Sequence, residues 1–144
     1  MNKDNKLNPG VIEQMVRVVY GEACGEPFLG KKGVADAIQN RLVHPGYSNL
    51  ESGGIFDPHQ FNTLNYQSHT NNYEKDKSSD SKTYNECKEA VLSSFDRSND
   101  SVSGATDFDS SKNSSSLQSN KYWDSKFTTQ IGNHIFHEKV AKKK

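Results

Sequence analysis

The chain is short of the residues that build large hydrophobic cores. Only 31% of its 144 residues are hydrophobic, with a single tryptophan and two methionines. A chain of this length supports one domain with a modest core, and the low apolar content predicts long polar loops. Charge of one sign is also missing, since 18 basic residues balance 18 acidic ones. A neutral chain has no field to draw it to nucleic acid or to an anionic membrane, so neither is an expected partner. No window approaches the ~18 consecutive apolar residues of a membrane span. The opening stretch MNKDNKLNPG has no apolar segment, which predicts synthesis in the cytoplasm without a secretory signal. Cysteine is scarce as well. Cys24 and Cys87 are the two present, and for a chain made in the cytoplasm they are expected as buried thiols. They lack zinc-site spacing. Five histidines include one close pair, His134 and His137, but on a strand that spacing points the two to opposite faces. Neither a metal nor a cofactor is expected.

What is present is helical periodicity broken by turns. Residues 1–8 read as a polar tail, with Asn8 as the cap of a helix that starts at Pro9. Val11, Ile12, Met15, Val16, Val19 and Ala23 recur at helical spacing. They predict a helix over 9–23, stopped by Gly25 and Pro27. A second helix is predicted over 31–43, with Val34, Ala37, Ile38, Arg41 and Leu42 on one side. Thr83 and Glu86 form a capping-box pair that opens a third helix over 83–96. Residues 65–82 are polar and turn-rich and read as a surface loop. Short strand character is found near Gln60-Phe61 and over 101–109. The alternation in TTQIGNHIFH predicts one strand over 128–137. The serine-rich run 110–120 is low in complexity. A single domain over 9–137 results, with a basic tail at 138–144. It is a helical body with a small sheet beside it.

The stretch VVYGEACGEP holds the strongest chemical signal. Glu22 ends an apolar helix between Gly21 and Gly25. Helix carbonyls put partial negative charge there, and the apolar face shields the carboxylate from water. Both effects disfavour the charged form and raise its pKa, which suits an acid that must hold a proton near neutral pH. The two glycines leave room for a bulky substrate. Composition alone favours a plainer reading, in which Glu22 and Glu26 are solvated residues around a helix end.

The segment VVYGEACGEPFLGKKGVADAIQNRL resembles the opening of the cell-wall hydrolase family typified by the spore-cortex-lytic enzyme SleB. Tyr20-Gly21-Glu22-Ala23, then Gly25-Glu26-Pro27, then Asn40-Arg41 match its pattern. Gln60-Phe61, Gly104-Ala105-Thr106, and Trp123 followed by Ile131-Gly132-Asn133-His134-Ile135-Phe136 match three further blocks in the family's order. The resemblance implies an α+β, lysozyme-like fold: a mainly helical body with a small antiparallel sheet lining a substrate cleft. It implies Glu22 as the catalytic acid and peptidoglycan glycan strands as substrate, cut at the β-1,4 bond between N-acetylmuramic acid and N-acetylglucosamine. A lytic transglycosylase needs one carboxylate, so Glu22 is expected as acid and then base. Substrate contacts are expected from Tyr20, Glu26, Gln60, Phe61, Thr106, Phe108 and His134. Glu26 is expected to position structure or substrate rather than to catalyse. For His134, a structural role and substrate contact weigh equally. Trp123 and Phe136 are expected in the core, and Arg41 as a buried ion-pair partner.

Where the family commonly continues the middle strand with two aromatics and Asn-Pro, this chain reads Asp107-Phe108-Asp109-Ser110-Ser111. If Asp107 or Asp109 positions a water, the enzyme is a muramidase. The remaining alternative is a module that binds peptidoglycan without cutting it. A lone catalytic domain without a signal fits a bacteriophage endolysin acting on the host wall as a monomer.

Overall fold

The structure, a computed structural model, describes residues 9–43, 67–110 and 123–141. The residues around Gln60 and Phe61, the tails 1–8 and 142–144, and the low-complexity run 111–120 lie outside the described residues. Among the described residues, four α-helices and a three-stranded antiparallel sheet give an α+β architecture. None of these helices is long and apolar enough to cross a membrane.

Helix α1 spans Pro9–Ala23, as its periodicity predicts. Met15, Val16, Val18 and Val19 are almost wholly buried and form the centre of the core. The last turn is closed by backbone bonds from Cys24 N to Tyr20 O (3.0 Å) and from Glu26 N to Ala23 O (2.9 Å). Pro27 then launches α2, Phe28–Val43. Its carbonyl accepts from Gly30 N at 2.9 Å and Lys31 N at 3.2 Å.

Helix α2 is not the one-sided helix its sequence suggests. It is buried continuously from Gly30 to Arg41. A helix covered on all sides must pair its polar side chains, because an unpaired buried polar group costs stability. Lys31 meets Glu86 at 3.0 Å, and Lys32 meets Asp36 at 2.7 Å. Lys32 also donates to the Asn99 carbonyl at 2.6 Å, and Gln39 to the Ser94 hydroxyl at 3.2 Å.

Helix α3, Gln67–Ser78, occupies the predicted surface loop. Among its described side chains only Tyr73 is buried, so there is no apolar stripe to read. Polar bonds to α1 hold it instead. Tyr73 Oη donates to Glu13 (2.5 Å) and Arg17 to the Thr70 hydroxyl (3.2 Å). Helix α4 spans Lys82–Ser94. Its cap is Ser81 rather than Thr83: the Ser81 hydroxyl accepts from Tyr84 N at 3.1 Å. Glu86, freed from any capping box, serves Lys31.

The strands are β1 (Asp107–Ser110), β2 (Trp123–Ile131) and β3 (His134–Ala141), in the order β1-β3-β2. The single strand predicted over 128–137 is a hairpin. Ile131 pairs with His134, and Gly132 turns the chain at φ +57°. A two-residue hairpin turn needs such a positive φ, and glycine supplies it without strain. The strand expected over 101–109 shortens to β1, and β3 continues to Ala141, into the segment read as a basic tail. One sheet face, with Phe108, His134 and Phe136, looks toward α2. There a Cβ on Gly33 would stand 2.9 Å from Phe136 Cζ and 3.1 Å from Ile131 Cδ1. Only glycine lets the sheet pack so close. Phe136 is fully buried, as expected. The other face carries Asp107, Asp109, Ile135, His137 and Phe127.

Candidate active site

The last turn of α1 presents Glu22, which is half-buried. Among the described residues its carboxylate has no hydrogen bond or ion pair. Burial is the largest influence on its proton and pushes the pKa up to about 7. The Arg41 guanidinium pulls it back, and the charge of Asp109 pushes it further up. Of the two effects expected from sequence, shielding from water is the one that dominates, and the charges of Arg41 and Asp109 modify it.

Those charges are held in place by α2. Arg41 is 7% exposed. Its Nε donates to the Thr106 carbonyl at 2.6 Å, and a terminal nitrogen meets Asp107 Oδ1 at 3.2 Å. The expected buried ion pair is therefore present. Asp109 follows two residues later on the same face of β1. The loop before β1 is fixed by three more residues. Asp36 Oδ2 accepts from Ser101 N (2.9 Å) and its hydroxyl (2.6 Å). Asn40 donates to the Ala105 carbonyl at 2.8 Å and to Asp100 at 3.2 Å. Asp100 in turn accepts from Val102 N (2.9 Å) and Gly104 N (2.8 Å). The Asn40-Arg41 pair thus serves as scaffold for the strand that faces the acid. Sequence reasoning missed Asp36 and Asp100. Asp36 lies within the apolar run Val34–Ile38 and Asp100 in a serine-rich loop, and neither position reveals a partner 65 or 60 residues away.

Glu26 contrasts with Glu22. Its Oε1 accepts from Asn133 N at 3.0 Å, and its Oε2 accepts from Asn133 Nδ2 at 3.3 Å. His134 Nδ1 lies 3.4 Å from Oε1, an ion pair whenever the imidazole is protonated. Glu26 therefore pins the β2–β3 turn to the link between α1 and α2. Its carboxylate is spent on structure, and His134 belongs to the same clamp. Asn133 was missed, although the Gly-Asn turn that carries it is visible in the sequence.

Two other expected contacts are buried against protein partners. Tyr20 is 5% exposed. Its hydroxyl donates to Asp76 at 2.5 Å and its ring stands edge-on to Tyr73, so it belongs to the core. Thr106 is wholly buried. Its N donates to the His137 carbonyl at 2.9 Å and its hydroxyl accepts from Lys139 N at 3.1 Å. It joins β1 to β3 rather than lining a cleft. Phe108 is half-buried, edge-on to His134 with centroids 5.6 Å apart. Gln60 and Phe61 lie outside the described residues. Cys24 and Cys87 are both free, and Cys24 is exposed rather than buried.

A family model described as Cell Wall Hydrolase matches residues 25–137. The chain belongs to the cell wall hydrolase family. The match begins three residues after Glu22, so the acid is carried by the neighbouring motif and by its geometry. Among curated relatives, the spore cortex-lytic enzyme of Bacillus cereus is 40% identical over 63 residues, 44% of this chain and 24% of that protein. The spore cortex-lytic enzyme of Halalkalibacterium halodurans is 45% identical over 53 residues, 37% of this chain and 16% of that protein. The aligned region thus spans a quarter or less of these relatives' length. Two solved structures share the fold. The catalytic domain of the Bacillus cereus SleB protein has a TM-score of 0.59 at 26% identity, covering 88% of each chain. The catalytic domain of the germination-specific lytic transglycosylase SleB from Bacillus anthracis has a TM-score of 0.62 at 27% identity, covering 91% of this chain and 96% of that one. The α+β, lysozyme-like fold of this SleB-like family is the fold of this chain.

Proposed function

We propose that this cell wall hydrolase cuts the β-1,4 bond between N-acetylmuramic acid and N-acetylglucosamine as a lytic transglycosylase, with Glu22 as its acid and then its base. The observation that carries the reading is the state of Glu22. It is half-buried and unpartnered among the described residues, and its proton is held to about 7. Glu22 gives that proton to the glycosidic oxygen as the bond to the muramic C1 breaks. The carboxylate left behind is stabilised by Arg41. It then takes the proton of the muramic 6-hydroxyl as that oxygen attacks C1. The product is a 1,6-anhydro ring, no water is consumed, and Glu22 ends protonated as it began. One carboxylate suffices, so Glu26 can be committed to the hairpin without loss of chemistry.

A hydrolytic second reading is favoured by one observation, the reach of the Asp109 charge to Glu22. A glycosidase that hydrolyses needs a second carboxylate flanking the bond. Digestion of purified peptidoglycan followed by mass spectrometry separates the two. Fragments ending in 1,6-anhydromuramic acid, lost in Glu22→Gln, are the expected result. Reducing muramic ends would make the protein a muramidase and Asp109 its second acid. Intact glycan with cut peptides would overturn the bond assignment.

A further inference from the structure

The outward face of the sheet carries a second feature that the Glu22 chemistry does not use. Phe127 on β2 is 57% exposed, a large apolar area for a single side chain to leave in water. It pairs directly with His137 on β3, which pairs in turn with Asp107 on β1. The three therefore form one row across the sheet, on the face that also carries Asp109. The Phe127 and His137 rings meet edge-on with centroids 5.9 Å apart. A bulge between Phe127 and Thr129 breaks the ladder here, and bulges re-aim side chains. Two polar atoms on this face, His137 Nδ1 and Ser125 Oγ, are buried without a hydrogen-bond partner among the described residues. Ser125 shares the Phe127 face, two residues earlier on β2. Unpaired buried polar atoms are uncommon and mark places where a partner is missing.

From this geometry we propose a distal glycan subsite at Phe127, in which an N-acetylated sugar of the same strand stacks on the ring. Its hydroxyl or acetamido group takes up the unspent capacity of His137 Nδ1 and Ser125 Oγ as the ring shifts onto the sugar. Burial holds His137 below the usual imidazole range, against the pull of Asp107. A neutral ring suits an uncharged sugar. The occupant is a glycan strand because Asp109, whose charge reaches Glu22, lies on the same face. Asp109 is one row along the same face, and strand spacing puts Phe127 about 12 Å from it, a few sugars from the cut bond. The subsite rests on the proposed glycan substrate.

The test reads binding without cutting. Glu22→Gln and the double variant with Phe127→Ala are sedimented with purified sacculi, and with glycan strands stripped of their peptides. The expected result is about tenfold weaker binding to both on loss of the ring, recovery with Phe127→Trp, and an unchanged thermal midpoint. Titration with stripped glycan should also shift the His137 ring resonances. Equal binding by the parent and the double variant would overturn the subsite, even if the wild type still yields anhydro ends. Phe127-dependent binding with no fragments from the wild type would sink the cleavage reading and leave the subsite standing. Dependence on sacculi alone, absent from stripped strands, would mean a peptide ligand and overturn the glycan assignment.

Discussion

Two carboxylates four residues apart, at the end of α1 and in the link to α2, have opposite fates. Glu26 is bonded through both oxygens to Asn133 and stands beside His134. Glu22 is sheltered from water and bonded to nothing among the described residues. A carboxylate in a fold is either spent on structure, as Glu26 is on Asn133, or left unspent, as Glu22 is, where burial keeps its proton available. The link residues Gly25 and Pro27 separate the two fates by ending the helix between them. On an unbroken helix the acids would share one face.

The comparison is broken most severely at Glu22 itself. Glu22→Gln keeps the shape and removes the proton, so fragment release from peptidoglycan should fall by about 10³-fold or more, as measured by mass spectrometry. The same variant should be the more stable protein at alkaline pH. An unfolded glutamate releases its proton near 4.5, whereas folded Glu22 holds it to about 7. Between those values the folded state binds more protons than the unfolded one, so wild-type stability falls as pH rises through that window. Thermal melts at pH 5 and pH 8 should therefore show Glu22→Gln level with the wild type at the lower pH and above it at the higher.

Arg41→Met comes next. It leaves Asp107 and the Thr106 carbonyl without their cation and should cost about 2–3 kcal/mol in denaturant unfolding. It also removes a charge that lowers the Glu22 pKa, so the alkaline limb of the rate profile should move to higher pH. Glu26→Gln tests the other half of the comparison. Losing the charge but keeping an acceptor should cost about 1–2 kcal/mol of stability. Fragment release should fall only a few-fold, with the same anhydro ends. A loss as large as that of Glu22→Gln would break the distinction between the two acids. The gentlest change is Asp109→Asn. Removing a charge that pushes Glu22 up should move the alkaline limb of the pH–rate profile downward and leave the product unchanged under the transglycosylase reading.

What the sequence made legible follows from how each part is held. Helix α1 could be read because Val11, Met15, Val16 and Val19 repeat at 3.6 residues and bury one stripe. Helix α3 could not, because Tyr73 and its polar bonds to α1 leave no stripe. Helix α2 is legible as a helix but not as a buried one: Lys32, Asp36 and Asn40 look solvated in sequence, and only their partners in the 95–107 segment show why they are buried. The hairpin reads as one strand in sequence because Gly132-Asn133 does not interrupt the alternation that puts Ile131 and Ile135 on one face and Phe136 on the other. Glu22 was found through its motif. The same motif gave no means of telling that Glu26 is spent on Asn133, a contact across 107 residues. Tyr20 and Thr106 read as substrate contacts in sequence because a polar side chain in a family motif looks the same whether it faces substrate or a buried partner.

The most direct measurement is a carbon-13 NMR titration of the glutamate carboxyls, with Glu22 assigned by its absence in Glu22→Gln. One carboxyl that titrates near 7 and vanishes in the variant would match an acid kept protonated for glycosidic cleavage. If the resonance lost in Glu22→Gln instead titrates near the ordinary 4.5, Glu22 is a solvated surface acid and the account fails.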